Sequence, residues 1–207
     1  MSSIVIDGEC LIRCGVEVAV GHKEFMAEAV RLATESVERG WGGPFGAVLT
    51  RDGEIIARGQ NRVLLTGDPT AHAEVETIRK ASQLLNPEAP TISEEHQNEG
   101  TLEYVPRPDG SPDPVPERAR MFQGCSIYIS GAPCPMCMSA IYWSRIDNVY
   151  FSCDLDATRK IGFDDAFQYE DFQKPLDQRR IHIEQIYPEL GAHAYEAWEA
   201  KPDRHAY

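Results

Sequence analysis

The chain of 207 residues carries 20 basic and 33 acidic residues, a formal net charge of −13 at pH 7, and is 42% hydrophobic. This length fits one domain able to bury about 70% of the surface it exposes unfolded. The acidic balance argues against duplex DNA or folded RNA as the main partner, because such binders carry a basic footprint. No stretch approaches the roughly 18 apolar residues of a membrane span. Met1–Ile6 lacks a basic leader, and Asp7, Glu9, Arg13 and Glu17 interrupt the apolar run, so the expected compartment is the cytoplasm. Six cysteines in a chain this long do not make a disulfide scaffold; close pairs read as metal or catalytic candidates.

After an N-terminal extension over 1–22, Lys23–Arg39 has the spacing of an amphipathic helix, with Phe25, Ala29, Leu32, Ala33, Ser36 and Val37 on one face and Gly40 as its stop. Phe45–Thr50 and Glu54–Gly59 are β-rich runs on either side of Asp52-Gly53, a hairpin signal. Asp68-Pro69-Thr70 supplies a helix start, and Ala71–Leu85 follows with Ala71, Val75, Ile78 and Leu85 inward. The segment 86–118 holds seven of the fourteen prolines and eight acidic against two basic residues, and reads as an irregular surface insertion. Ser126–Ser130 reads as a strand, Pro135–Ser144 as a helix and Asn148–Ser152 as a strand. Arg180–Tyr187 is a candidate edge strand, and Pro188–Ala200 a last helix. Alternating helices and strands imply an α/β sandwich with a partly parallel sheet.

Two short clusters carry the chemistry: His72-Ala73-Glu74 at one helix start, and Pro133-Cys134-Pro135-Met136-Cys137 at another. Cysteines three apart on a first helical turn bring both sulfurs to one point, where the helix end favours their thiolates. His72 adds a borderline-soft ligand. Two thiolates and an imidazole suit tetrahedral zinc with one corner left open. Residues two apart on a helix point about 200° away from each other, so His72 and Glu74 meet only off the helix N-terminus. Glu74 therefore reads as a base beside water, which zinc acidifies from a pKa of about 15.7 toward 7.

H-x-E followed by P-C-x-x-C is the signature of zinc-dependent nucleobase deaminases. The chain resembles the cytidine-deaminase-like superfamily, and within it the bacterial guanine deaminases. The likeness lies in Gly43–Ala47, Gly59–Asn61, Asp68–Glu74, Pro133–Cys137, Ala140–Trp143 and Gly162–Phe167. It implies one deaminase domain over 1–207, a three-layer α/β/α sandwich with a five-stranded mixed sheet. It also implies one zinc per chain on His72, Cys134 and Cys137, with Glu74 as proton shuttle and Asp165 protonating the leaving amine. Asn61, Phe45, Trp143 and Tyr207 would bind a small aminopurine, guanine first, giving xanthine and ammonia. The expected assembly is a homodimer in which a partner's C-terminal segment reaches the pocket and Tyr207 closes it. Ala132 departs from the Glu that such enzymes carry before Pro-Cys. This widens the substrate range to guanosine, a pterin or an aminotriazine.

The runner-up enzyme is a tRNA adenosine deaminase, which shares the signature but needs a Lys/Arg cluster this acidic chain lacks; cytosine deamination comes third. A non-catalytic zinc module would need a fourth ligand, for which Cys125 and Cys153 are the available suppliers. Cys10 and Cys14 read as buried thiols, and His22, His96, His182 and His193 as ordinary histidines. Asp164 reads as a turn residue and Arg179-Arg180 as a solvated pair.

Overall fold

Helix α1 (His22–Glu38) buries Ala29, Leu32, Ala33 and Ser36, the i, i+3, i+4, i+7 stripe of an amphipathic helix. It stops where Gly40 turns to a φ of +67°: Gly40 N–H donates to the Val37 carbonyl and Trp41 N–H to that of Ser36. This pairing ends a helix at a left-handed glycine. The structure is a computed structural model that describes residues 12–13, 16–17, 21–86, 121–202 and 204. Most of the N-terminal extension, nearly all of 86–118, Cys10, Cys14, His96 and Tyr207 lie outside the described residues. The chain divides into two units, Met1–Leu85 with Met121–Ala166, and Asn86–Arg120 with Phe167–Tyr207.

In the first unit a two-residue ladder pairs β1 (Ile12–Arg13) with β2 (Val16–Glu17). The main sheet follows. β3 (Gly46–Arg51) and β4 (Glu54–Gln60) form the expected hairpin, whose turn residues Asp52 and Gly53 both have positive φ, 52° and 77°. β5 (Cys125–Gly131) lies antiparallel to β3 and parallel to β6 (Asn148–Cys153), giving the order β4-β3-β5-β6. Side-chain alternation sorts the strands between two helical layers. Ala47, Leu49, Ile127 and Ile129 face Ala73 and Ala81 of α3 (Ala73–Leu85) and Ile141 of α4 (Pro135–Trp143). Val48 and Tyr128 face Ala29 and Leu32 of α1. Leu49, Ile127 and Ile129 have no exposed surface, and burying each contributes roughly 1.5–3 kcal/mol. A short helix α2 (Val63–Thr66), with no apolar periodicity to announce it, follows β4.

Three expectations are corrected here. The main sheet has four strands among the described residues rather than five. Arg180–Tyr187 has the alternation of a strand but forms no ladder, and Ile181, Ile183 and Ile186 are exposed. On α3, Ile78 and Leu85 pack against the core and Ala71 just before it is buried, as expected, but Val75 is only partly buried, and the most buried residues are Ala73, Glu74, Thr77 and Ala81. The reason is close approach: a Cβ on Gly59 would overlap the Ala73 carbonyl and Thr77, so small residues must form the seam.

A short helix α5 (Leu155–Lys160) follows β6, and α6 (Ala166–Phe172) begins where the chain passes from the first unit into the second. In the second unit Arg179-Arg180 is not a merely solvated pair. Arg179 donates to the Phe172 carbonyl, and Arg180 N–H donates to the Asp171 carboxylate. Lys174 also donates to Asp171, at 2.9 Å, so this carboxylate staples the segment after α6. Helix α7 (Pro188–Ala200) forms where expected and buries none of its residues; Leu190, Tyr195 and Trp198 are all exposed.

Candidate active site

The connection into α3 begins with an Asx-type turn, in which Asp68 Oδ1 accepts from the Thr70 N–H and hydroxyl, both at 2.7 Å. The helix then starts at Ala73, and the His72 carbonyl accepts its first bond, from Glu76 N–H. His72 thus sits at the entry of the helix and Glu74 in its first turn. Cys134 is the N-cap of α4 in extended conformation, Pro135 opens the helix, and Cys137 lies in the first turn. Both helices pack on the same sheet face, which brings their N-termini together.

There His72 Nδ1 lies 3.7 Å from Cys134 Sγ and 3.5 Å from Cys137 Sγ, and the three donor atoms lie within 4.8 Å of one another. A tetrahedral zinc ion, about 2.3 Å from sulfur and about 2.0 Å from nitrogen, separates such atoms by roughly 3.5 Å. The donor set therefore fits zinc. Among the described residues no fourth protein donor joins it, and Cys153 is exposed, so the site is open in the manner of a catalytic rather than a structural centre.

The electrostatics are those of a buried, anionic cluster. A hydrogen bond from Cys137, with a second from His72, holds the Cys134 thiol down to about 4, and its thiolate in turn raises His72. Cys137, sharing its proton with Cys134 and buried, is pushed up. Glu74 is 4% exposed, and burial pushes its carboxyl up to about 7. Burial also raises Asp165, with the charge of Cys134 adding to it.

A cavity of about 270 Å³ opens beside these groups. His72, Glu74, Cys134, Asn61, Phe45 and Asp165 all line it. Asn61 is 4% exposed and its orientation is set: Oδ1 accepts from the Gly43 and Val63 N–H groups, each at 3.2 Å. The amide nitrogen is then the atom left to face the cavity as a donor. A Cβ on Gly42 would overlap this amide, which is why a glycine precedes Gly43. Phe45 serves two ends, lining the cavity and packing on the core.

Trp143 is not brought into this cavity. It ends α4, about 13 Å along the helix from Cys134 at 1.5 Å per residue, and is 68% exposed. Asp164 turns outward to Arg159, at 2.9 Å. Sequence reasoning missed Leu64 of α2 and Phe163, which also line the cavity. Phe163 stood within the quoted Gly162–Phe167 stretch but carried no periodicity to mark it.

The fold and the open two-thiolate, one-imidazole centre beside a buried carboxylate define a zinc-dependent deaminase. Residues 20–153 match the family described as cytidine and deoxycytidylate deaminase zinc-binding region, and the chain belongs to that family, with zinc as its cofactor. It is 37% identical over 179 residues to guanine deaminase of Bacillus subtilis, covering 86% of this chain and 94% of that one. The crystal structure of a Bacillus subtilis guanine deaminase superposes with a TM-score of 0.72 at 36% identity, covering 90% of this chain and 98% of the other. The chain is also 31% identical over 133 residues to a tRNA-specific adenosine deaminase of Aquifex aeolicus, spanning 64% of this chain and 66% of that relative.

Proposed function

We propose that the protein hydrolyses the exocyclic amine of a free aminopurine, converting guanine and water to xanthine and ammonia. The observation that carries this is one cavity lined by zinc donors, two carboxylates and an oriented amide donor. Its volume of about 270 Å³ falls just under the roughly 300–1,000 Å³ of sites for drug-sized ligands, which suits a single bicyclic base. Among the described residues no lysine or arginine lines it, in keeping with a neutral base rather than a nucleic-acid strand. The similarity to guanine deaminase over most of both chains supports the same reading.

His72, Cys134 and Cys137 would hold the ion, which when bound supplies a water acidified toward neutral pH. Asn61 donates from its amide nitrogen to an acceptor on the base edge, and Phe45 flanks the ring. Glu74, shielded from bulk water, carries a proton to the ring nitrogen beside the reacting carbon. The water oxygen bonds to the carbon that carries the amine, one of its protons going through Glu74 to the ring nitrogen. Asp165 accepts a hydrogen bond from the amine and passes it the second proton of that water, so the carbon–nitrogen bond breaks, ammonia leaves and the oxygen stays as the carbonyl. The site polar groups, left unpaired by a wrong base, set the discrimination.

We also read the protein as a cytoplasmic homodimer acting in purine metabolism. Its two thiolate ligands suit a reducing compartment. Exposed Tyr142 and Trp143 in the first unit, and exposed Leu190, Tyr195 and Trp198 in the second, are each apolar surface of the kind association covers. Tyr207 would then close the pocket of the partner. Sedimentation at a monomer's mass would overturn that part. The substrate assignment is tested by an ammonia-release screen over guanine, guanosine, adenine, cytosine, a pterin and an aminotriazine. We expect guanine to give the highest kcat/KM; a nucleoside or cytosine in first place would overturn the assignment.

A further inference from the structure

The one-turn helix α2 puts two leucines in water: Leu64 is 74% and Leu65 52% exposed. Backbone bonds rather than burial hold it in place. Val63 N–H donates to Asn61 Oδ1 at 3.2 Å, and the N–H groups of Leu64 and Leu65 both donate to the Trp41 carbonyl at 3.0 Å. Thr66 N–H donates to the Arg62 carbonyl and Gly67 N–H to that of Val63, each at 2.9 Å. Gly67, with φ of +71°, ends the turn. Every N–H from Val63 to Gly67 thus has an acceptor, and the turn is fastened to Trp41 and to Asn61.

The cavity that Asn61 lines is graded from end to end. Beside the zinc donors its walls are buried: Glu74 and Cys134 are each 4% exposed. Leu64 lines the same cavity while most of its surface meets solvent, and Pro69, also lining it, is exposed as well. The cavity therefore runs from a buried polar end to an open apolar one. Asn61, His72, Glu74, Cys134 and Asp165 supply its polar side chains, and among the described residues the other lining side chains carry no hydrogen-bonding group.

The reacting carbon of guanine belongs to the six-membered ring and has to reach the zinc end. The five-membered ring is fused on the far side of that ring, so it extends toward the opening, and a sugar on its nitrogen extends further. A volume of about 270 Å³ suits a single bicyclic base, which leaves such a sugar at the opening. There the five-membered ring of a free base meets Leu64 as apolar surface. Sugar hydroxyls meet the same carbons, give up water on that side and find no partner in exchange.

We propose that Leu64 is a specificity-determining residue: held at the opening by α2, it favours a free base and turns away the corresponding nucleoside. This rests on the reading that the reacting carbon is that of an aminopurine. An apolar wall rejects an added hydroxyl by up to about a hundredfold, so kcat/KM for guanine should exceed that for guanosine by roughly tenfold to a hundredfold.

The test replaces Leu64 by asparagine, which is nearly the size of leucine and puts a donor and an acceptor in the same space. Leu64→Asn should raise the guanosine-to-guanine ratio of kcat/KM at least about tenfold, with KM falling for guanosine and rising for guanine. Leu65→Asn, on the same turn but outside the cavity lining, should leave the ratio at its wild-type value. Both side chains are exposed, so zinc content and melting temperature should match wild type. An unchanged ratio in Leu64→Asn, or an equal rise in Leu65→Asn, would overturn the proposal, as would wild-type protein that turns over guanosine as readily as guanine. A second readout needs no turnover: calorimetric titration of guanine and guanosine into zinc-loaded Glu74→Gln protein, with and without Leu64→Asn. We expect the ratio of the two Kd values to shift toward guanosine, and an unmoved ratio would overturn the role of Leu64. Guanine that binds but is not turned over by the wild-type protein would instead strike the reaction assigned above, and the binding ratio would still decide what Leu64 selects.

Discussion

Replacing Asn61 by alanine should unfold the protein at distinctly lower temperature as well as silence it, because the residue holds backbone as well as substrate. Its Oδ1 is the acceptor of two N–H groups, from Gly43 and Val63, in a side chain 4% exposed. Truncation leaves both donors without that partner, and a buried unsatisfied donor costs about 1–3 kcal/mol. Both donors are only partly buried, so the lower half of that range applies, about 2–4 kcal/mol together. For a chain of this size each kcal/mol moves the midpoint by about 2–4 °C, so we expect a fall of roughly 5–15 °C in a calorimetric melt. Asn61→Asp is the control. Its carboxylate keeps both acceptor positions but removes the donor aimed at the cavity, so it should melt close to wild type and still lose guanine turnover. An Asn61→Ala protein melting within a degree or two of wild type would refute the reasoning, since Oδ1 would then be holding nothing.

Glu74→Gln should keep zinc and fold yet lose about 10²–10⁴-fold in kcat, the range for a proton shuttle; a loss below tenfold would assign the proton transfer elsewhere. Asp165→Asn should lower kcat for guanine more than it raises KM, and unchanged kcat would make that carboxylate structural. The surface network on α1 gives a pH prediction. The Glu28 carboxyl is held down to about 2, chiefly by its hydrogen bond from Arg31, with Arg58 adding to it. Its contribution to stability is thus present above the ordinary value of 4.5 and is lost as pH falls from there toward 2. Both arginines are about half exposed, so screening limits it to about 1 kcal/mol. Urea unfolding should show Glu28→Gln weaker at pH 7 and equal to wild type near pH 2; a gap independent of pH would contradict this.

The parts of the molecule legible from sequence were those written in local signals. Lys23–Arg39, with its apolar stripe and Gly40 stop, became α1 to within a residue at each end. Asp52-Gly53 became a turn with two positive φ values. The His-x-Glu and Cys-x-x-Cys spacings brought three donors together because both stand at helix starts, where short separations along the chain converge in space. What failed was what depends on distant neighbours. The alternation of Ile181 and Ile183 looks like a strand, but alternation without a partner strand makes no ladder. On α3, Ile78 and Leu85 turned inward as read, but Val75 did not, although hydrophobicity pointed to it. Contact with Gly59 instead demanded Ala73 and Thr77. Phe163 escaped notice because its place beside the cavity comes with a ring contact to Phe45, 118 residues earlier in the chain.

The central claim is that His72, Cys134 and Cys137 hold one catalytic zinc beside a guanine pocket. Titrating zinc into metal-stripped protein while following ammonia release from guanine tests it directly. We expect activity to rise linearly and level off at one equivalent per chain, and Cys137→Ala to show neither zinc retention nor activity. Guanine turnover that is undiminished in the metal-stripped protein, or full zinc retention in Cys137→Ala, would contradict the account.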